Sequence, residues 1–117
     1  MTAGAPPADC RLCPRLADFR DQNKIAFPRY WNAPVPSFGD PSPPLLIVGL
    51  APGLHGANQT GRPFTGDGAG DVLYPGLLAR GLASGRYGRR VDDGLRLSGC
   101  LVTNAVRCPP PQNKPTG

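Results

Sequence analysis

The residues best suited to chemistry lie in a glycine-rich segment, residues 49–68, which reads GLAPGLHGANQTGRPFTGDG. Its six glycines and two prolines disfavour a long helix or strand, so we expect a shaped loop whose backbone comes close to a ligand. Within this loop, Phe64 offers a flat ring and Asp67 a charge three positions later. This pair suits the holding of a planar heterocycle beside a reacting atom.

A second segment, Val102–Cys108, combines an apolar run, the carboxamide of Asn104 and a terminal thiol. A carboxamide donates and accepts hydrogen bonds at once, so near a strand end it could bind the polar edge of a heterocycle. From the residues alone, a loop-capping amide is the better interpretation of Asn104, and a core aromatic is the better interpretation of Phe64.

The chain start and its apolar runs indicate a cytoplasmic protein. Met1–Pro7 lacks the basic and apolar regions of a secretory signal, and Leu45–Ala51 is far shorter than the roughly 20 residues that span a bilayer. Disulfides are disfavoured in that compartment. The four cysteines therefore point to metal or cluster ligation.

Two of these cysteines, Cys10 and Cys13, are separated by two residues, which places both thiols on one tight turn. Soft thiolates suit zinc or iron–sulfur chemistry. Cys100 precedes Cys108 by eight positions, roughly 20 Å or more if the intervening chain is extended. We therefore expect Cys100 to be a buried free cysteine that packs as a small apolar residue.

Four ordered blocks resemble the B-type uracil-DNA glycosylases, the fifth family of that superfamily, over nearly the whole chain. The blocks are Cys10–Leu16, Gly49–Gly53, Gly61–Asp67, and Thr103–Cys108 running into Asn113–Thr116. The resemblance implies a DNA repair enzyme that hydrolyses the bond between the sugar and uracil or another deaminated base. It also reverses the two interpretations given above for Asn104 and Phe64.

The family's site residues are carried over to matching positions. Phe64 is expected to stack on the base, the loop residues Gly49, Ala51 and Gly53 to approach it, and Asn104 to pair with O4 and N3–H of uracil. The Gly49–Gly53 block carries leucine at position 50 and no acid. The resemblance implies that Asp67 instead stabilises cationic character on the sugar and orients water. A helix N-cap is the plain alternative for Asp67, and both roles can coexist.

The resemblance also implies a four-iron, four-sulfur cluster. Its expected ligands here are Cys10, Cys13 and Cys108, with the fourth cysteine expected beyond Gly117. A zinc site that uses these three cysteines and one other ligand stays open as the alternative.

The charge balance favours a polyanion partner. The net charge is +5, although ordinary solubility charge explains it equally well, and only the resemblance favours DNA. Arg62, Arg107 and Lys114 are candidate phosphate contacts, and a solvated charge is about as good an interpretation of each. We expect a monomer in a bacterial or archaeal cytoplasm, associated with the nucleoid and bound to uracil-containing DNA.

The elements that must position these residues form one βαβ unit. The predicted elements are a helix at about 14–22, a loop at 27–44, a strand at 45–50, a helix at 69–82 kinked at Pro75, a polar surface connection at 83–98, and a strand at 101–106. A strand, crossover and strand of this kind pair in parallel.

One such unit cannot bury its own apolar surface, because a parallel pair needs further strands and helices on both faces. The resemblance implies a three-layer α/β/α fold with a parallel central sheet and a His-Pro-Ser-type motif further on. We therefore expect residues 1–117 to be a single uracil-DNA glycosylase-like domain, truncated at its C-terminus and with little or no activity alone. The rival function is a non-catalytic nucleic-acid or nucleotide-binding module; an ordinary phosphate loop is disfavoured because no G-K-[ST] follows the glycines.

Overall fold

The computed structural model describes residues 5–116, which build a mixed three-stranded sheet at the centre of the chain. Strand β2 (Leu45–Gly49) runs parallel to the central strand β5 (Cys100–Asn104), so that Leu45 lies opposite Cys100 and Gly49 opposite Asn104. The predicted α/β class and parallel pair are confirmed. The sheet is mixed because β1 (Phe38–Gly39), inside the predicted loop, joins β5 in antiparallel fashion.

The crossover helix α3 (Gly68–Ala79) packs on one face of this sheet. It ends earlier than predicted because Gly81 adopts a φ of +75°, and the amides of Gly81 and Leu82 bond back to the carbonyls of Leu78 and Leu77. The kink expected at Pro75 does not divide the helix. Pro75 lies on the exposed face, where water can satisfy the carbonyl that its ring leaves unbonded.

The core lies between α3 and β5. Its buried members are Tyr74, Leu77, Leu95, Cys100 and Val102. Cys100 is fully buried among them, which confirms its predicted role as a small apolar residue. On the opposite face of β2, Leu46 and Val48 remain exposed in the part of the chain that the structure describes.

Helix α1 (Pro14–Ala26) begins where predicted, with Pro14 in its first turn, and continues four residues beyond the predicted end. It stops before Phe27, which precedes Pro28, and a residue before proline is disfavoured in helical conformation. The helix packs through Ala17, Arg20 and Asn23, so its buried stripe is largely polar. Apolar periodicity could not have located such a stripe.

The segment predicted as a polar surface connection is instead partly interior, so that prediction was wrong. It forms a hairpin of β3 (Ala83–Ser84) and β4 (Arg96–Leu97) and carries Asp93, whose carboxylate pairs with Arg62. Both side chains are only 4% exposed. Burial alone would raise the pKa of Asp93, but hydrogen bonds from Arg62 and from the Leu95 and Gly88 amides outweigh it and hold the pKa well below its usual range.

Two short elements complete the described chain, a helical turn α2 (Ala57–Thr60) in the glycine-rich loop and a 3₁₀ turn at Pro111–Asn113. Among residues 5–116, no helix has both the length and the apolar character needed to cross a bilayer.

The packing of α3 on β5 can be tested by truncating Val102, which is fully buried. Val102→Ala should lower the free energy of unfolding by about 2 kcal/mol, because it removes two buried methyl groups and leaves a cavity. The matched control is Val72→Ala on the exposed side of α3, where Val72 is 78% exposed. Urea unfolding of both variants gives the comparison, and equal losses would contradict this description of the core.

Candidate active site

The candidate site lies where β2 and β5 end side by side at their carboxyl ends. Gly49 and Asn104 are register partners and the last residues of their strands. In α/β sheets, ligands bind in the crevice outside these strand ends. A β-carbon built on Gly49 would lie 2.5 Å from Asn104 Oδ1 and 2.5 Å from Phe64 Cζ. The structure therefore brings the predicted amide, ring and glycine together at one point.

Phe64 sits in a conformation that costs energy. Its φ is +54°, in the left-handed region that bulky residues rarely adopt, and such strain persists only where the surroundings impose it. Gly70, in the first turn of α3, leaves space for the Phe64 carbonyl, because a β-carbon at position 70 would overlap that carbonyl. The Tyr87 hydroxyl donates to that same carbonyl at 3.4 Å.

The carbonyl just before Phe64 is held as well. The Tyr74 hydroxyl donates to the Pro63 carbonyl, and burial raises the pKa of Tyr74, so this phenol keeps its proton. These contacts hold the Phe64 backbone over the first turns of α3. Nothing in the sequence spacing indicated the roles of Tyr74 and Tyr87, because both arise from helix and loop packing.

Asp67 occupies the N-cap position of α3, but its side chain makes no capping hydrogen bond. Its Oδ1 atom is buried without a hydrogen-bond partner in the described part of the chain. Its other oxygen faces the loop backbone, since a β-carbon on Gly53 would lie 3.1 Å from Oδ2 and one on Gly56 would overlap the carboxylate. Asp67 therefore stands at the N-cap position without making the capping hydrogen bond that the alternative interpretation predicted.

The three predicted thiol ligands line a single cavity of about 510 Å³ beside the start of α1. Arg20, which the sequence reasoning missed, also lines it and is 1% exposed. Its guanidinium donates to the Cys10 carbonyl at 2.6 Å and to Cys108 Sγ at 3.7 Å, while Nε is buried without a partner. Burial raises the pKa of the Cys108 thiol, and the neighbouring Arg20 charge opposes that effect.

This donor set fits a bulky group better than a single ion. No three His, Cys, Asp or Glu side chains among residues 5–116 are placed to hold one metal ion. Three thiols around one cavity, with an orphaned buried cation donor beside them, suit a larger and anionic sulfur-rich group.

The candidate phosphate contacts have different surroundings. Arg62 is buried and paired with Asp93, so we withdraw it from the predicted phosphate contacts; burial of both charges leaves no guanidinium donor at the surface. Arg107 is part-exposed and donates to the Val35 carbonyl and the Ser37 hydroxyl. Lys114 has an exposed side chain. Ala51 is half-buried just after β2.

Known proteins resemble this chain closely. A sequence model of the Uracil DNA glycosylase superfamily matches residues 36–117. The type-5 uracil-DNA glycosylase of Thermus thermophilus is 55% identical over an alignment of 112 residues that covers 92% of this chain and 51% of that protein. The type-5 enzymes of Mycobacterium leprae and Pyrobaculum aerophilum are 48% and 41% identical, each over 92% of this chain and covering 49% and 50% of their own lengths. The chain thus spans about half the length of these curated relatives.

Proposed function

Because the chain belongs to the uracil-DNA glycosylase superfamily, we propose that it acts in DNA repair by excising uracil and other deaminated bases from DNA. The observation that carries the proposal is the convergence of Phe64 and Asn104 on Gly49 at the ends of two parallel strands. The relatives bear the name of this activity. Their names and the site geometry support the same proposal independently.

The base is recognised after it leaves the helix stack, since its target bond cannot be reached inside a duplex. The Phe64 ring stacks on the base, and Asn104 accepts from N3–H and donates to O4 of uracil. The backbone of Gly49, Ala51 and Gly53 lies close enough to border the base, because these positions carry no side chain or a single methyl group.

The reaction breaks the bond between C1′ of the sugar and N1 of the base. The bonding electron pair leaves with the base, positive charge develops on the sugar, and a water molecule then bonds to C1′ and releases a proton. The Asp67 carboxylate stabilises the sugar cation and orients the water. The amide of Asn104 stabilises the negative charge that develops on the base.

The net charge of +5 favours DNA binding, because basic side chains that neutralise phosphates release condensed counterions. Arg107 and Lys114 remain the candidate phosphate contacts. Guanidinium and ammonium groups bind DNA phosphates and so orient the protein on the duplex without reading the base sequence. The enzyme is proposed to act as a monomer in the bacterial or archaeal cytoplasm, close to the nucleoid.

Cys10, Cys13 and Cys108 would hold three corners of a four-iron, four-sulfur cluster, with Arg20 compensating part of its negative charge. When bound, the cluster supplies a structural crosslink between the start of α1 and the segment after β5. The rival binding module with a zinc site is less well supported, because these three thiols, as placed within residues 5–116, do not surround one ion.

The role of Asp67 is tested by Asp67→Asn in the full-length protein. Excision of uracil under single-turnover conditions should fall at least about 100-fold, because the sugar cation loses a matched negative charge. Asp71→Asn is the matched control, since Asp71 lies on the exposed side of the same helix and pairs with Arg89. Abasic sites are revealed by alkali cleavage, and DNA binding should stay unchanged. Equal excision by Asp67→Asn and wild type would remove Asp67 from the mechanism.

The cluster proposal is tested by iron content after anaerobic purification. Cys108→Ala should lose bound iron and the brown colour, since one thiol corner is missing. Cys100→Ala should keep both, because Cys100 lies in the core under α3 and away from the cavity. A wild-type protein that carries zinc and no iron, or equal iron in the Cys108→Ala variant, would refute the cluster.

A further inference from the structure

The Asp93 carboxylate is the most completely bonded charged group in the described chain. Its Oδ1 accepts from Arg62 Nη1 at 3.0 Å and from the Leu95 amide at 3.0 Å. Its Oδ2 accepts from Arg62 Nη2 at 2.8 Å and from the Gly88 amide at 2.8 Å. Two donors on each oxygen fix both the position and the plane of the Arg62 guanidinium.

The Nε donor of that guanidinium points toward the candidate site. Arg62 Nε donates to the Thr65 hydroxyl at 2.8 Å, and this hydroxyl donates in turn to the Pro63 carbonyl at 3.1 Å. Thr65 is fully buried and lies between Phe64 and Asp67 in the chain. A continuous series of hydrogen bonds, the Asp93–Arg62–Thr65 relay, therefore ends on the carbonyl that immediately precedes Phe64.

Aromatic rings enclose this relay. The Arg62 guanidinium lies 4.9 Å from the ring centre of Phe38 and 5.5 Å from that of Tyr74. Tyr74 donates to the same Pro63 carbonyl that the Thr65 hydroxyl reaches. The carbonyl before Phe64 is therefore held by two hydroxyl groups, one of which depends on the ion pair for its orientation.

We propose that the Asp93–Arg62–Thr65 relay positions the Phe64 ring and the Asp67 carboxylate for the excision proposed above, so that Asp93 is a positioning residue of that site. A buried ion pair is weak evidence for stability, because apolar side chains of similar volume often serve the fold as well. Its rigid geometry has a further use here. It holds a loop in which Phe64 adopts a strained φ of +54°.

The sharpest variants are at Thr65. Thr65→Val keeps nearly the same volume and removes the hydroxyl, whereas Thr65→Ser keeps the hydroxyl and removes a methyl group. With the full-length protein, Thr65→Val should lower the single-turnover excision rate about tenfold or more with unchanged affinity for DNA, because the reacting groups are misplaced. Thr65→Ser should restore most of the rate.

The matched pair at the other end of the relay is Asp93→Asn and Asp92→Asn. Asp92 is the neighbouring residue, is exposed, and pairs with Arg90 at the surface. Asp93→Asn should lose rate as Thr65→Val does, and Asp92→Asn should keep the wild-type rate. If Asp93→Asn fails to fold, the two Thr65 variants carry the test by themselves.

Hydrogen exchange separates this proposal from the proposed function. The amides of residues 64–67 should exchange faster in Thr65→Val than in Thr65→Ser and wild type, whether or not the protein excises uracil. Wild-type protein that leaves uracil in DNA would overturn the proposed function alone. Unchanged exchange in Thr65→Val, or a wild-type excision rate in a folded Thr65→Val or Asp93→Asn protein, would overturn the relay.

Discussion

The candidate site depends on one steric constraint, the absence of a side chain at Gly49. The Phe64 ring and the Asn104 carboxamide both lie against the backbone of Gly49, where any side chain would collide with them. Gly56 likewise leaves space for the Asp67 carboxylate, which a β-carbon at that position would overlap. Neither glycine adopts a positive φ, so the requirement at both positions is space and not backbone freedom. A ring, an amide and a carboxylate can therefore be held against one loop without blocking one another.

The close approach is useful only if the groups are held still, and the surrounding structure supplies that restraint from three directions. Register pairing of β2 with β5 fixes Gly49 beside Asn104. Helix α3 supports the strained Phe64 because Gly70 lies against the Phe64 carbonyl and the Tyr74 hydroxyl donates to the preceding carbonyl. The chain after α3 folds back and buries Asp93 against Arg62. The thiol cavity lies on another part of the chain, between α1 and the segment that follows β5.

Sequence reasoning could find what local pattern encodes. The apolar runs predicted the parallel strands, the helix predicted at 69–82 corresponds to α3, and the separation of Cys100 from Cys108 predicted a buried free cysteine. What it missed is long-range pairing. Asp93 and Arg62 each look like solvated charges until the fold brings them together, and Arg20 sits on a helix face that apolar periodicity cannot reveal. The two residues of β1 were missed because so short a strand inside a proline-rich segment exists only through its pairing with β5.

The central claim is that the site depends on the absence of a side chain at Gly49, and a methyl group placed there tests it most directly. Single-turnover excision from a uracil-containing oligonucleotide should be compared for full-length Gly49→Ala and Gly76→Ala, because a β-carbon on Gly76 meets nothing within 4 Å. The account predicts that Gly49→Ala loses about 100-fold or more in rate, since a displacement of roughly 1 Å is enough to cost that much, while Gly76→Ala matches wild type. A folded Gly49→Ala protein that excises uracil at the wild-type rate would contradict it.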